Sequence, residues 1–183
     1  MPFSAILDAN VLYPFSLRDT LLRLAELDLY TPLWSTRILD EMTRSLVERR
    51  ITNEQAARIK QAMGGAFEEA EVDPAEIERL EPAMTNDPKD RHVLAAAVAA
   101  DSELIVTFNL DDFPPEACEP LGVEAIHPDE FLLDLHDLNP DAVRAALEQQ
   151  GADLHPPWPL EQLLNALTTA GVPKFAETIR NES

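Results

Sequence analysis

At 183 residues the chain has room for one domain with a modest extension, and its 45% hydrophobic content can build a core. Fourteen basic against 34 acidic side chains give a net charge of −20, which argues against a protein that simply coats nucleic acid. A single cysteine, Cys118, excludes an internal disulfide and reads as a small buried hydrophobe. No run reaches the ~20 apolar residues of a membrane helix, and the N-terminus lacks a signal-peptide pattern, so a soluble cytoplasmic protein with no membrane partner is expected.

The charge is unevenly placed. Residues 1–64 carry eight basic and eight acidic side chains; the remainder carries six and 26, which accounts for the whole excess. Arg37, Arg44, Arg49 and Arg50 lie close together, followed by Arg58 and Lys60. Such a run is either a solvated helix face or a basic surface.

In chain order, Phe3–Leu7 is too short for a helix and reads as a buried strand. Pro14 marks the loop after it, and Ser16 with Asp19 resembles a capping box ahead of a helix through Leu17, Leu21, Leu24 and Leu27. Asp28–Leu33 holds a brief strand. Ser35 then caps a helix with its apolar stripe on Ile38, Leu39, Met42 and Leu46, beside which Glu41 is the odd member. Thr52 and Gln55 form another capping box, and Gly64-Gly65 is expected to loosen the helix that follows. The acidic stretch 68–81, punctuated by Pro74 and Pro82, reads as a surface loop around a short helix. Asn86-Asp87-Pro88 signals a turn and cap, leading into a helix from about Lys89 to Ala100. Leu104–Thr107 and Val123–Ile126 are strands. From His127 only helices are expected, at roughly 128–137, 140–150, 159–170 and 173–180.

Strands alternating with helices predict an α/β fold with a parallel sheet. In it, acids gather at the carboxyl ends of strands: Asp8 after the first, Asp90 at the start of the alanine-rich helix, Glu41 on the second helix, and Asn109, Asp111 and Asp112 after the later strand. Hard cations such as Mg²⁺ take oxygen ligands of this kind, and such ions can activate water against a phosphodiester without a His, Ser or Cys nucleophile. Asp87 reads as a helix cap rather than a ligand. His92 reads as a helix-surface histidine, Trp34 and Trp158 as core or interface.

Four segments in order, ILDANVL (6–12), ILDEMTRSL (38–46), DRHVLAAAVAA (90–100) and LIVTFNLDDFP (104–114), resemble the PIN-domain ribonucleases, many of which are VapC-type toxins. The resemblance covers about residues 3–130. It implies a PIN-like three-layer fold with four or five short parallel strands flanked by helices, and places a nuclease domain at 1–130 before a helical extension at 131–183. The family's first acid falls on Asp8, with Asn10 supporting it, its helical glutamate on Glu41 and its third acid on Asp90. Its usual fourth acid is replaced by Asn109, leaving Asp112 to take that place, while Thr107 positions the site through its hydroxyl. The resemblance further implies a Mg²⁺- or Mn²⁺-dependent endoribonuclease acting on RNA, a homodimer, and an antitoxin whose basic C-terminal segment blocks an acidic cleft. The rival readings are a non-catalytic PIN-like binding protein and a haloacid-dehalogenase-type phosphatase. The latter needs a second acid where Asn10 stands.

Overall fold

Four short strands, β1 (Ser4–Leu7), β2 (Thr31–Leu33), β3 (Leu104–Val106) and β4 (Glu124–Ile126), form one parallel sheet in the order β2-β1-β3-β4. The structure is a computed structural model and describes residues 2–182. The two central strands are apolar and almost wholly buried, as strands covered on both faces must be. Leu7 pairs with Val106, and Val106 with Ile126, so the carboxyl ends of three strands are level. The chain moves outward from β1 to β2, then returns to β3 on the other side. This reversal makes the carboxyl ends of β1 and β3 a topological switch point, the place where open parallel sheets bind ligands.

Helices supply the rest: α1 (Ala9–Leu12), α2 (Phe15–Glu26), α3 (Thr36–Glu48), α4 (Asn53–Ala66), α5 (Pro74–Leu80), α6 (Arg91–Ala99), α7 (Pro115–Cys118), α8 (Pro128–Leu138), α9 (Pro140–Ala152), α10 (Leu160–Ala170) and α11 (Pro173–Asn181). The four expected strands and the principal expected helices are present. Three local expectations are corrected. Ser16 does not cap α2: the helix already begins at Phe15, Ser16 is buried inside it, and Asp19 pairs with Arg23 instead. Gly64-Gly65 does not interrupt α4, because the capping box at Thr52 and Gln55 starts the helix firmly and nothing crowds either glycine. The 89–100 helix opens as a 3₁₀ turn over Pro88–Asp90, so Asp90 sits at the N-cap of α6 rather than in its first turn.

Three tight returns use left-handed backbone: Arg50 after α3, Asp28 before β2, and Asp101 before β3. Aspartate tolerates that conformation better than most side chains. The core joins Ile6, Leu7, Leu21, Leu24, Met42, Val93, Leu94, Ile105 and Val106, each fully or almost fully buried. Each such side chain contributes about 1.5–3 kcal/mol of burial.

The C-terminal helices share this core. Phe131 of α8 packs edge-on against Tyr30 and Phe3, with centroids 5.0 and 6.2 Å away. Gln150 of α9 is buried and bonds Thr20 Oγ1 at 2.8 Å and the Ser16 carbonyl at 3.1 Å, both on α2. Asp129 of α8, also buried, accepts the Lys174 and Phe175 amides at 3.0 and 2.7 Å and so holds the start of α11. Among the described residues no helix is long and apolar enough to cross a membrane.

Candidate metal centre

Asp8 is the first residue beyond β1. Its backbone amide still belongs to the sheet, donating to the Val106 carbonyl at 3.1 Å. Its carboxylate caps α1, where Oδ1 accepts the Ala9 amide at 2.8 Å. Oδ2 accepts the Thr107 hydroxyl at 2.8 Å and the Asn10 amide at 3.2 Å. Asn10 Nδ2 also donates to Thr107 Oγ1, and Asn10 Oδ1 accepts the Phe108 amide at 3.1 Å. Asn10 and Thr107 thus clamp Asp8 across the β1–β3 junction. Burial pushes the Asp8 carboxyl above its ordinary range, the bonds from Thr107 and Ala9 oppose this, and the nearby charge of Glu41 adds to it.

Asp90 and Asp112 approach from the other wall. The Asp87 amide donates to the Asp112 carbonyl at 3.3 Å and ties the two loops together. Asp87, Asp90 and Asp112 each offer a carboxylate oxygen within 4.8 Å of the others, all half-buried. Asp90 is pushed up to about 7, chiefly by burial, then by a hydrogen bond with Asp112 and by the charges of Asp8 and Asp112. Burial and the neighbouring negative charge both favour the protonated form of Asp90. A divalent cation relieves the same crowding.

Glu41 stands on α3 on the side facing the site. His92 lies beside it, with Nε2 3.0 Å from Glu41 Oε1. The contact lies off the ring N–H direction, and Nδ1 has no hydrogen-bond partner among the described residues. His92 is fully buried, which corrects the surface placement. Every residue of α6 from His92 to Ala97 is buried, so helical periodicity could not separate an inner face from an outer one.

The remaining residues divide as follows. Asn109 is exposed and donates its backbone amide to Thr107 Oγ1 at 3.1 Å. Asp112 is in the cluster and Asp111 is exposed. Asp87 does both things at once, capping the turn at the Lys89 amide (3.0 Å) and joining the cluster. Reading it only as a cap missed the second role, and the D-P-x-D spacing, which puts both carboxylates on one tight turn, was the signal. Asn86 was also missed: it is buried, and neither atom of its side-chain amide has a hydrogen-bond partner among the described residues.

The PIN-domain profile matches residues 4–111, more than half of the chain and the segment that carries these groups apart from Asp112. The chain belongs to the PIN-domain family. Residues 128–181 match the profile of the VapC50 C-terminal domain. A relative from Mycobacterium tuberculosis, named "Putative ribonuclease VapC50", is 48% identical over 99 residues, which is 54% of this chain and 58% of that protein. The chain therefore spans little more than half of that relative's length. No solved structure matches it.

The donor set fits a hard cation. It is composed of carboxylate oxygens, several of them half-buried and close together, with no thiol and no aligned imidazole among them.

Proposed function

We propose that this PIN-domain chain is a Mg²⁺- or Mn²⁺-dependent endoribonuclease, the toxin of a cytoplasmic toxin–antitoxin pair. The observation that carries the reading is the cluster of Asp87, Asp90 and Asp112, where burial first and then the hydrogen bond with Asp112 and the charges of Asp8 and Asp112 push Asp90 up to about 7. Asp8, Glu41, Asp90 and Asp112 hold the cation, together with Asp87, which shares the cluster with Asp90 and Asp112. When bound, the cation supplies activation of the attacking water and charge neutralisation at the phosphodiester. Thr107 and Asn10 keep the Asp8 carboxylate aimed, so that binding needs no rearrangement of that wall. Asn109 leaves the usual fourth position without charge, and Asp112 replaces it.

An antitoxin with a basic C-terminal segment suits this acidic site, and a homodimer is the expected assembly. The relative's name, which describes a ribonuclease, supports the same direction. The phosphatase reading is disfavoured because Asn10 is occupied as an amide clamp where that chemistry needs an acid.

The deciding experiment is cleavage of total RNA by purified protein with Mg²⁺, Mn²⁺ or EDTA, comparing wild type with Asp90→Asn. Discrete metal-dependent fragments that vanish in the variant are expected. Folded, partner-free protein that cleaves nothing would replace this reading with a non-catalytic binding protein.

A further inference from the structure

Resting on the nuclease reading, we propose that Tyr13, Phe15 and Arg49 form a landing platform for single-stranded RNA, set beside the acidic crevice. Helices α1 and α3 pack together. Asp8 caps α1 and Glu41 stands midway along α3, close enough for the charge of Glu41 to act on Asp8. At their trailing ends, Arg49 Nη2 donates to Tyr13 Oη at 3.1 Å, and the guanidinium lies over the Tyr13 ring at 4.5 Å. Glu41, Ser45 and Arg49 recur at i, i+4 and i+8 along one stripe of α3 and its C-cap. At 1.5 Å per residue, Arg49 stands about 12 Å along the axis from Glu41, within reach of a short oligonucleotide whose scissile phosphate lies at the acids.

Unspent positive charge gathers around this spot. Arg37 is spent on Glu81, Lys60 on Asp40, and Arg23 on Asp19 and Asp153, whereas Arg44 and Arg58 have no ion pair among the described residues. Arg49 is exposed, bears on an aromatic ring rather than a carboxylate, and is followed by Arg50, which has no ion pair among the described residues. A crevice of acids repels the phosphates of its own substrate, so attraction has to come from cations beside it. The aromatic surface is held firmly as well. Phe15 is 53% exposed, and the Arg18 guanidinium lies 5.8 Å from its centroid. Arg18 is buried and donates to the Leu12 and Tyr13 carbonyls at 2.9 and 3.1 Å, pinning the loop that presents both rings. Rigid ring faces with an adjacent guanidinium stack unpaired bases without demanding a sequence. A basic antitoxin segment would be repelled by the same cations, so RNA is the favoured occupant.

The test is fluorescence anisotropy of a labelled oligouridylate in EDTA, which halts any metal-dependent cleavage, over a range of salt. Arg49→Gln is expected to weaken binding several-fold and to reduce the magnitude of the log K against log salt slope by about 0.7, the value for one phosphate contact on a single strand. Phe15→Ser is expected to weaken binding by about fivefold or more with the slope unchanged, as loss of a stacking face does. Arg58→Gln, the same charge change on exposed α4, leaves affinity within twofold and controls for bulk charge. Both platform positions are exposed, and unchanged thermal melts verify folding. Wild-type affinity in both variants, or no RNA binding by wild type, overturns the platform even if the protein cleaves RNA. Variants that keep RNA but lose a co-expressed protein partner overturn it in favour of protein docking. Weakened binding by both variants of a protein that proves unable to cleave leaves the platform standing and removes only the nuclease reading.

Discussion

Asp8 is 4% exposed, and an isolated carboxylate at that depth would be driven to its neutral form. It is held in place by three donors, of which the Thr107 hydroxyl matters most because it also receives the Asn10 and Asn109 bonds. Thr107→Val keeps the shape and removes that hub. Leaving buried donors and a carboxylate unsatisfied costs ~1–3 kcal/mol, so a lower urea midpoint is expected, with weaker Mn²⁺ binding by calorimetry; an unchanged midpoint would show that the hub is dispensable. Asp90 is raised as well, chiefly by burial. Its ordinary value is 3.8 and its folded value about 7, so between those pH values the folded protein holds a proton that the unfolded chain has lost. Stability from this group is complete below pH 4 and is lost as pH rises through 7. Asp90→Asn should therefore leave the metal-free melting temperature nearly unchanged at pH 4. At pH 8 it should raise it by ~2–4 °C, the equivalent of about 1 kcal/mol after discounting for partial exposure. The same substitution should weaken Mn²⁺ binding, and in wild type that binding should strengthen as pH rises through 7, because the cation displaces the proton. Asp8, Asp90 and Asp112 were legible because acids just beyond apolar runs fall at strand ends or helix starts. Burial of His92 was not, because an all-buried helix carries no periodic signal.

At the level of elements, the alternation of apolar runs and capped helices predicted the four strands and the principal helices within a residue or two at most ends. Caps were less legible where geometry had competing solutions: Thr52 and Gln55 form their box, whereas Ser16 is drawn into α2 by a start one residue earlier. What the pattern did not reveal is how the later helices attach, because that depends on close approach between segments distant in sequence. Gly151 is such a point. A Cβ there would lie 2.4 Å from the Trp158 carbonyl oxygen, and the Trp158 amide in turn donates to the Gly151 carbonyl at 2.9 Å. Backbone cannot rotate away as a side-chain tip can. Gly151→Ala, normally favourable in a helix, should cost ~1–3 kcal/mol through overpacking. Asp129→Ala removes two charge-assisted bonds at the start of α11 and should cost about 2–3 kcal/mol. Both are measured by chemical denaturation, and a neutral Gly151→Ala would show that the 158 segment gives way freely.

Over the whole molecule, the question is whether the helices after residue 127 form a separable appendage or part of the wall that supports the site. Three joins bear on it. Phe131 closes an aromatic cluster with Phe3 and Tyr30 at the start of β1 and just before β2. The buried Gln150 bridges α9 to α2. Gly171, at the end of α10, sits so close to Phe108 that a Cβ would meet its ring at 2.7 Å, and Phe108 immediately follows Thr107. Removing α8–α11 would therefore expose one side of α2, remove the Gln150 bond from the Thr20 hydroxyl, uncover Tyr30 and free the residue next to the Asp8 clamp. The acids would remain in the chain but lose the packing that fixes β3's outgoing loop. A fragment ending at residue 127 is thus expected to lack a cooperative thermal transition and to bind a hydrophobic dye, with Mn²⁺ failing to restore the transition. A fragment that melted cooperatively near the full-length temperature and bound Mn²⁺ as tightly would instead show that the joins are incidental and that the PIN domain carries its site alone.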